Sequence, residues 1–215
     1  IPSFRLSRKF GMTHIYHLNQ PTMPRTKQFD KNEVLEKAME LFWKNGYHAT
    51  SMGQLVQHLG INRASIYSTF NDKKDLFEQA LRLYRQKNGG GVKSFLAAQK
   101  SVKEGFLNLF TSAIDEGVND PESRGCFVVN ITTELVPGDE DILPALNENQ
   151  AHFVKLFKEF LERGVKEGEM AANKDLDATA QYLFTLYNGL RVVGKINKDR
   201  ESLIKMIKVG LMVLN

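Results

Sequence analysis

Apolar residues recur along this chain at the spacing of an α-helix, with polar residues between them. The first apolar stripe begins at Val34, passes through Leu41 and Phe42 and stops at Gly46, and Asp30 precedes it as a candidate cap. Side chains three and four residues apart lie on one face of a helix, so the stripe predicts an amphipathic helix. Three later stripes predict further helices and, together, an all-α fold. They are Val102, Phe106, Leu109, Phe110, Ala113 and Ile114; Phe153, Leu156, Phe157, Phe160 and Leu161; and Tyr182, Leu183, Leu186, Tyr187, Leu190 and Val193.

A short helix is predicted after Thr50, in the stretch TSMGQLVQHLG. Ser51 and Gln54 have the spacing of a capping box, which satisfies the first free backbone N–H groups of a helix. Gly60 ends this helix, because glycine tolerates the left-handed conformation that follows a helix C-terminus. A tight turn and a second helix should follow.

The second helix of this pair has one polar face. Asn62 is a suitable N-cap, and Ile66 and Phe70 form the apolar side. The polar side consists of Arg63, Ser65, Tyr67, Ser68 and Thr69. Such side chains can donate to phosphates and to base edges, and a major groove admits a helix. The pair therefore predicts a helix-turn-helix that binds DNA.

A longer helix is predicted next, capped by Asn71 or Asp72 and ending at the glycine run 89–91. This helix would connect the front of the molecule to the rear. Lys73 lies in its first turn, where an ammonium is unfavourable beside the positive end of the helix dipole unless an anion is near. Lys73 is therefore a candidate phosphate contact, although a solvated lysine is the alternative.

The stretch from Val34 to Leu81 resembles the DNA-binding head of the TetR/AcrR family of bacterial repressors. The segments that carry the resemblance are LFWKNGY, TSM, LGI, IYSTF and NDKKDLF, with departures at Gly53 and Ala64. The resemblance implies a three-helix head, a connector helix, and a C-terminal helical domain for effector binding and dimerisation. The predicted DNA-binding residues are Thr50, Ser51, Arg63, Ala64, Ser65, Tyr67, Ser68, Thr69 and Lys73.

Three regions are predicted: a flexible extension at 1–22, a DNA-binding domain with its connector at 23–88, and a helical effector and dimerisation domain at 89–215. Met23 opens a run that is typical of a natural N-terminus, so the residues before it are interpreted as an added extension. A basic arm that enters the minor groove is the alternative. Its candidates are Arg5, Arg8, Lys9, Arg25 and Lys27.

Composition and charge narrow the class of protein. The 215 residues carry a net charge of +4, but residues 1–87 hold 14 Lys and Arg against 7 Asp and Glu, whereas residues 88–215 hold 15 against 18. The excess positive charge at the front favours a nucleic-acid partner there. A single cysteine permits no internal disulfide, and no apolar run is long enough to span a bilayer, so we expect a cytoplasmic protein. We find no catalytic or metal-binding motif, and we predict no enzyme activity, cofactor or metal.

The rear region offers two interpretations of effector sensing. A helix is expected to begin near Cys126, and the helix dipole together with Arg124 would stabilise a thiolate there and make it reactive. The segment GCFVV resembles that of TetR/AcrR family members that sense electrophiles or oxidants through such a cysteine, and the resemblance implies the same role here. The alternative for Cys126 is inert core packing. A mostly apolar small-molecule pocket is also predicted, with a plain helical core as its alternative. The proposed sensor and pocket residues are Cys126, Phe106, Phe110, Asn130, Thr133, Phe153, Phe157 and Tyr187.

The last predicted helix, at 200–214, has more apolar residues than one-sided packing requires, and this surplus suggests a partner. The family resemblance implies that the last two helices of each subunit form a four-helix bundle in a homodimer. The interface residues expected on this basis are Tyr182, Leu186, Leu190, Leu203, Ile207 and Leu211. We therefore expect a dimeric repressor that an effector releases from a palindromic operator. A small helical enzyme or a protein-binding adaptor is the alternative.

Overall fold

The computed structural model describes residues 29–215, and in this range the chain forms nine α-helices, two short 3₁₀ helices and no strand. The predicted extension at 1–22 and the basic-arm residues lie outside the described range. Within it, no helix combines the length and apolar character that a membrane crossing requires. The helices are α1 (Lys31–Asn45), α2 (Met52–Leu59), α3 (Arg63–Phe70), α4 (Lys73–Ala97), α5 (Val102–Asn119), α6 (Phe127–Leu135), α7 (Leu143–Lys166), α8 (Leu176–Val193) and α9 (Arg200–Gly210), with 3₁₀ helices at Glu140–Ile142 and Leu211–Leu214.

The three helices of the head begin and end where the sequence predicts. Asp30 caps α1, and Ser51 and Gln54 form a capping box in which each side chain accepts from the other residue's backbone N–H. Gly60 adopts the left-handed conformation after α2, with φ 68°. The side chain of Asn62 accepts from the N–H of Ser65 and starts α3. These local signals are sufficient to define the head.

The connector helix does not end at the glycine run, so that part of the prediction is wrong. α4 continues without interruption from Lys73 to Ala97. Glycine weakens a helix by about 1 kcal/mol relative to alanine, but it keeps its N–H donor and does not break the hydrogen-bond ladder as proline does. Gly89 is buried, and a Cβ there would lie 2.9 Å from Nε2 of His152. Glycine at this position therefore allows His152 of α7 to approach α4 closely while α4 stays helical.

Two hydrophobic cores hold the molecule together. The front core joins α1, α2, α3 and the first half of α4 to α6, and the rear core joins the end of α4 to α5, α7, α8 and α9. Tyr84 is the last α4 residue of the front core and Val92 is the first of the rear core. Because Phe127 and Ile131 of α6 are buried in the front core, α6 belongs to the packing of the head although it follows α5 in the chain.

The structure corrects the predicted dimer residues. Leu190, Leu203 and Ile207 are buried in the rear core of the single chain, and Ile207 is 0% exposed. They cannot at the same time supply the face for a second subunit. Leu186 and Leu211 are partly buried against the same core, and of the six predicted residues only Tyr182 is exposed. The exposed apolar residues of α8, α9 and the segments that follow them are Tyr182, Val192, Ile196, Met206, Val209 and Met212.

Candidate DNA-binding face and effector cavity

The outer side of α3 forms a compact polar face. Arg63, Ala64, Tyr67 and Ser68 are exposed, while Ile66 on the opposite side is buried. The hydroxyls of Ser68 and Thr69 donate to the backbone oxygen of Ser65, at 3.0 and 2.8 Å, which leaves their lone pairs free to accept. The face therefore offers a guanidinium, a phenol and hydroxyls from one short rigid helix.

Two predicted contacts before α3 have different positions. Thr50 is fully buried, and its hydroxyl donates to the backbone oxygen of Gly46 at 2.6 Å. Its side chain is therefore structural and does not lie on the DNA-binding face, contrary to the prediction. Ser51 is exposed at the start of α2, although its hydroxyl oxygen accepts from Gln54 in the capping box.

Lys73 begins α4, the helix that follows α3, and forms no ion pair within the described part of the chain. Its ammonium is 4.3 Å from the centre of the Tyr47 ring, and no carboxylate pairs with it among residues 29–215. Burial lowers the pKa of Lys73, against the opposing effect of Glu134. The neighbouring Lys74 is different, because it pairs with Asp139 and Asp141 at 3.3 and 2.7 Å. An incoming phosphate would supply the anion that Lys73 lacks.

The head is tied to the rear of the molecule through α6 and the loop before it. The carboxylate of Glu134 accepts from the backbone N–H groups of Tyr47 and His48, at 3.1 and 2.7 Å. The indole N–H of Trp43 donates to the backbone oxygen of Gly125 at 3.2 Å. A shift of α6 would therefore act directly on the end of α1 and the turn before α2.

The predicted phenylalanine pocket is not present, because its aromatic residues fill the rear core. Phe106 packs edge to face on Phe157 with ring centres 5.3 Å apart, and Phe110 packs in the same way on Tyr187 at 5.5 Å. Phe153 is also buried. Such interlocked rings leave no space for a ligand between them. Of these five, Tyr187 reaches a cavity, a small one of about 200 Å³.

The remaining predicted residues, Cys126, Asn130 and Thr133, lie around α6 and not with those rings. Cys126 is the N-cap of α6 and packs in the front core, where the hydroxyl of Tyr84 lies 3.7 Å from its sulfur. The side-chain amide of Asn130 donates to the backbone oxygen of Arg124, and the hydroxyl of Thr133 donates to the backbone of its own helix. The eight residues therefore do not form one site.

The positive charge of Arg124, which the sequence predicts beside the thiol of Cys126, contacts other groups. The guanidinium of Arg124 stacks 4.6 Å from the ring centre of Trp43 and pairs with Asp120 and Glu122, at 3.4 and 3.6 Å. Cys126 is 8% exposed. Burial strongly raises the pKa of Tyr84, and the adjacent sulfur adds to this effect, so the hydroxyl that faces the thiol stays protonated. The structure therefore favours a packed thiol in this conformation.

A mostly apolar cavity lies between the rear domain and the head, with a volume of about 390 Å³. It occupies the space between the C-terminal ends of α5 and α8, the loop that leads into α6, and the indole of Trp43. Sequence reasoning missed it because its walls come from separate segments with no shared motif. The lining residues are Trp43, Ala113, Ile114, Glu116, Gly117, Asn119, Asp120, Pro121, Ser123, Arg124, Gly125, Leu190, Arg191, Gly194 and Lys195.

This architecture, a helix-turn-helix head on an all-helical rear domain with a cavity at their junction, is that of a DNA-binding regulator. Residues 34–80 match the family described as bacterial regulatory proteins, tetR family, and residues 104–209 match the tetracyclin repressor-like C-terminal domain. The chain belongs to the TetR family of bacterial transcriptional regulators, as the resemblance of its head predicts.

Its relatives are similar over most of their length. The uncharacterized HTH-type transcriptional regulator YezE of Bacillus subtilis is 34% identical over 198 residues, which cover 90% of this chain and 100% of YezE. The HTH-type transcriptional repressor ComR of Escherichia coli is 28% identical over 183 residues, which cover 85% of this chain and 87% of ComR. A cysteine mutant of the TetR family regulator CifR, solved with 26-bp double-strand operator DNA, superposes on this chain with a TM-score of 0.80 at 29% identity. The superposition covers 89% of this chain and 100% of the CifR chain. These relatives are regulators and not enzymes, which excludes the enzyme alternative.

Proposed function

We propose that this protein is a transcriptional repressor that binds a palindromic operator as a homodimer and releases it when an effector binds behind the head. The observation that carries the proposal is the exposed face of α3, with Arg63 and Tyr67 at its surface, together with Lys73 at the start of the next helix, which forms no ion pair among residues 29–215. Two similar proteins support the proposal. ComR is named a transcriptional repressor, and the CifR mutant was solved in complex with operator DNA. Because bacterial DNA lies in the cytoplasm, a repressor of this kind would act there.

The exposed apolar residues at the end of the chain supply a surface for a second subunit. Val209 and Met212 are 69% and 63% exposed, which is costly for side chains of this size unless another surface covers them. Two heads must lie about 34–36 Å apart to enter successive major grooves, and a symmetric dimer fixes that distance. We assign the dimer contact to this surface in place of the buried Leu203 and Ile207.

The effector would act through the 390 Å³ cavity, because one of its walls belongs to the head. A ligand that favours one position of Trp43 over another shifts the equilibrium between binding and non-binding arrangements of the two heads. Oxidation or alkylation of Cys126 is the second candidate signal. It is supported by the contact of this residue with Tyr84 of the connector helix, which would transmit any change in volume at the sulfur.

The three predicted regions are retained in this proposal, with residues 1–22 as an extension, 23–88 as the DNA-binding domain and 89–215 as the effector and dimerisation domain. The two cores support a division within α4, between Tyr84 and Val92. Since α4 is continuous, it carries any movement of the rear core to the head.

Selection of binding sites from a random DNA pool tests the proposal and requires no assumption about the operator sequence. The full chain should enrich an inverted repeat whose half-sites are centred about one helical turn, or a multiple of it, apart. Binding to the enriched sequence should weaken steeply as the salt concentration rises, because phosphate contacts release counterions. Failure to enrich any sequence, or enrichment of a single half-site, would contradict repression by a dimer.

A further inference from the structure

We propose that the 390 Å³ cavity between the head and the rear domain binds a small organic anion, a carboxylate or a similar acid attached to an apolar body. The inference specifies the chemical class of the effector, and it rests on the proposed function. The observation that carries it is an excess of cations in the lining: Arg124, Arg191 and Lys195 face only two carboxylates, Glu116 and Asp120.

Both carboxylates already have partners. Glu116 accepts from Nη1 of Arg191 at 2.8 Å. Asp120 accepts from the backbone N–H of Arg124 at 2.8 Å and from its side chain at 3.4 Å. Burial acts to raise the pKa of Asp120, but these hydrogen bonds outweigh it and lower the pKa, so the group stays ionised. Two arginines are thus neutralised, and the third cation is not.

Lys195 is the cation that has no carboxylate. Its ammonium donates to the side-chain oxygen of Asn130 at 3.1 Å, and no acid pairs with it among residues 29–215. An ammonium has three N–H donors, so two remain for a ligand. Gly125 leaves room for this side chain, since a Cβ at that position would lie 3.0 Å from Cδ of Lys195. Lys195 is half-buried, and its bond to Asn130 places the ammonium at the cavity wall.

Arg191 provides a second donor. Its Nη1 and Nη2 donate to Glu116 and to the hydroxyl of Tyr187, both at 2.8 Å, but its buried Nε has no hydrogen-bond partner among residues 29–215. A buried N–H without a partner is unfavourable, and an acceptor placed beside it would remove that cost. A carboxylate in this cavity could accept from Lys195 or Arg191 by charge-assisted hydrogen bonds.

The other walls are suited to an apolar body. Ala113 and Ile114 of α5 and Leu190 of α8 line one side, and the indole of Trp43 lines the side that belongs to the head. The volume lies within the range of about 300–1,000 Å³ that small-molecule sites occupy. A short aromatic or branched acid fits this combination of one charged end and one apolar end better than a sugar or a polyamine does.

The position of Trp43 links binding to release. Its indole N–H is bonded to Gly125, and its ring packs on Tyr84 of α4, with ring centres 5.1 Å apart. A ligand that packs against the indole therefore acts on α1 and on the connector helix together. This contact gives an anion bound in the rear domain a direct route to the orientation of the head.

Matched pairs of acids and neutral amides test the chemical class. Benzoate is compared with benzamide, phenylacetate with phenylacetamide, and 4-methylpentanoate with 4-methylpentanamide, by thermal shift of the full chain and by release of the selected operator. At least one acid should raise the melting temperature while its amide does not, because binding to the native state stabilises it. The Lys195→Gln substitution should lower the affinity for that acid by about ten- to a hundredfold, as expected for loss of a charge-assisted hydrogen bond.

Two further variants separate the site from general effects of charge. Lys195→Arg keeps the cation and should retain the preference for the acid. Lys166→Gln, which removes an exposed lysine at the far end of α7, should bind like the unchanged protein. Equal shifts for acids and amides, no shift with any acid, or an unchanged affinity in Lys195→Gln would overturn the inference. If the unchanged protein does not bind the selected operator in the absence of ligand, that result contradicts the proposed function. The failure of the proposed function and the failure of this inference are therefore distinct.

Discussion

Replacement of Gly90 and Gly91 together by alanine should stabilise the protein. Both residues lie inside α4, both are exposed, and a Cβ at either position would meet no atom within 4 Å. Glycine in a helix costs about 0.5–1 kcal/mol relative to alanine, because its backbone loses more freedom on folding. The double substitution should therefore add about 1–2 kcal/mol to the free energy of unfolding, since no new contact offsets the gain.

For a chain of this size, 1 kcal/mol corresponds to about 2–4 °C in the melting temperature, so the expected rise is about 2–8 °C. Differential scanning calorimetry measures it at one fixed protein concentration, because dimerisation makes the melting temperature depend on concentration. The matched control is Gly105→Ala in α5, where a Cβ would lie 2.6 Å from Cζ of the buried Phe160. This variant should be less stable than the unchanged protein.

An unchanged or lower melting temperature in the double variant would refute the reasoning, because it would show that the glycines are required for packing or for a bend. The substitution also stiffens α4 between Tyr84, where the front core ends, and Val92, where the rear core resumes. If α4 transmits the effector signal, the double variant should need more effector for the same operator release.

Three substitutions and one labelling experiment test the DNA-binding face, the dimer contact and Cys126. Lys73→Ala should weaken binding to all DNA sequences alike and reduce the salt slope by about one unit, and an unchanged slope would remove this residue from the interface. Val209→Glu should give folded monomers by light scattering, whereas Ile207→Glu should unfold the chain because it buries a carboxylate in the rear core; a dimeric Val209→Glu would place the contact elsewhere. Cys126 should react with maleimide much more slowly in the native protein than in urea, and equally fast native labelling would favour the oxidant signal.

The head could be predicted from the sequence because its determinants are local. A capping box, an N-cap and a left-handed glycine each involve residues a few positions apart, so Ser51, Gln54, Gly60 and Asn62 specify where α2 and α3 begin or end. The same reasoning failed at Gly89, because glycine does not by itself end a helix, and its lack of a side chain here allows the close approach of His152. Thr50 was misplaced for a related reason, since its polarity does not reveal the hydrogen bond to Gly46 that buries it.

The rear domain was harder to predict because an apolar side chain that packs in the core and one that faces a partner subunit give the same sequence pattern. The surplus of apolar residues in α9 is real, but periodicity cannot tell which face packs on the chain's own core. Ile207 faces inward and Val209 outward. Phenylalanines at helical spacing, such as Phe106 and Phe157, filled the core and did not line a pocket. The cavity is formed by the meeting of α5, α8 and Trp43, a relation between distant segments that no single stretch encodes.

The role of the α3 face can be tested directly by fluorescence anisotropy with Arg63→Ala, titrated on the selected operator and on random DNA at one salt concentration. The matched control is Arg82→Ala, which removes an exposed arginine of α4 away from this face. If Arg63 reads base edges, its loss should cost about 1–3 kcal/mol more on the operator than on random DNA, while the control loses little on either. Equal losses of Arg63→Ala on both DNAs, or no loss on the operator, would contradict a reading role for this face.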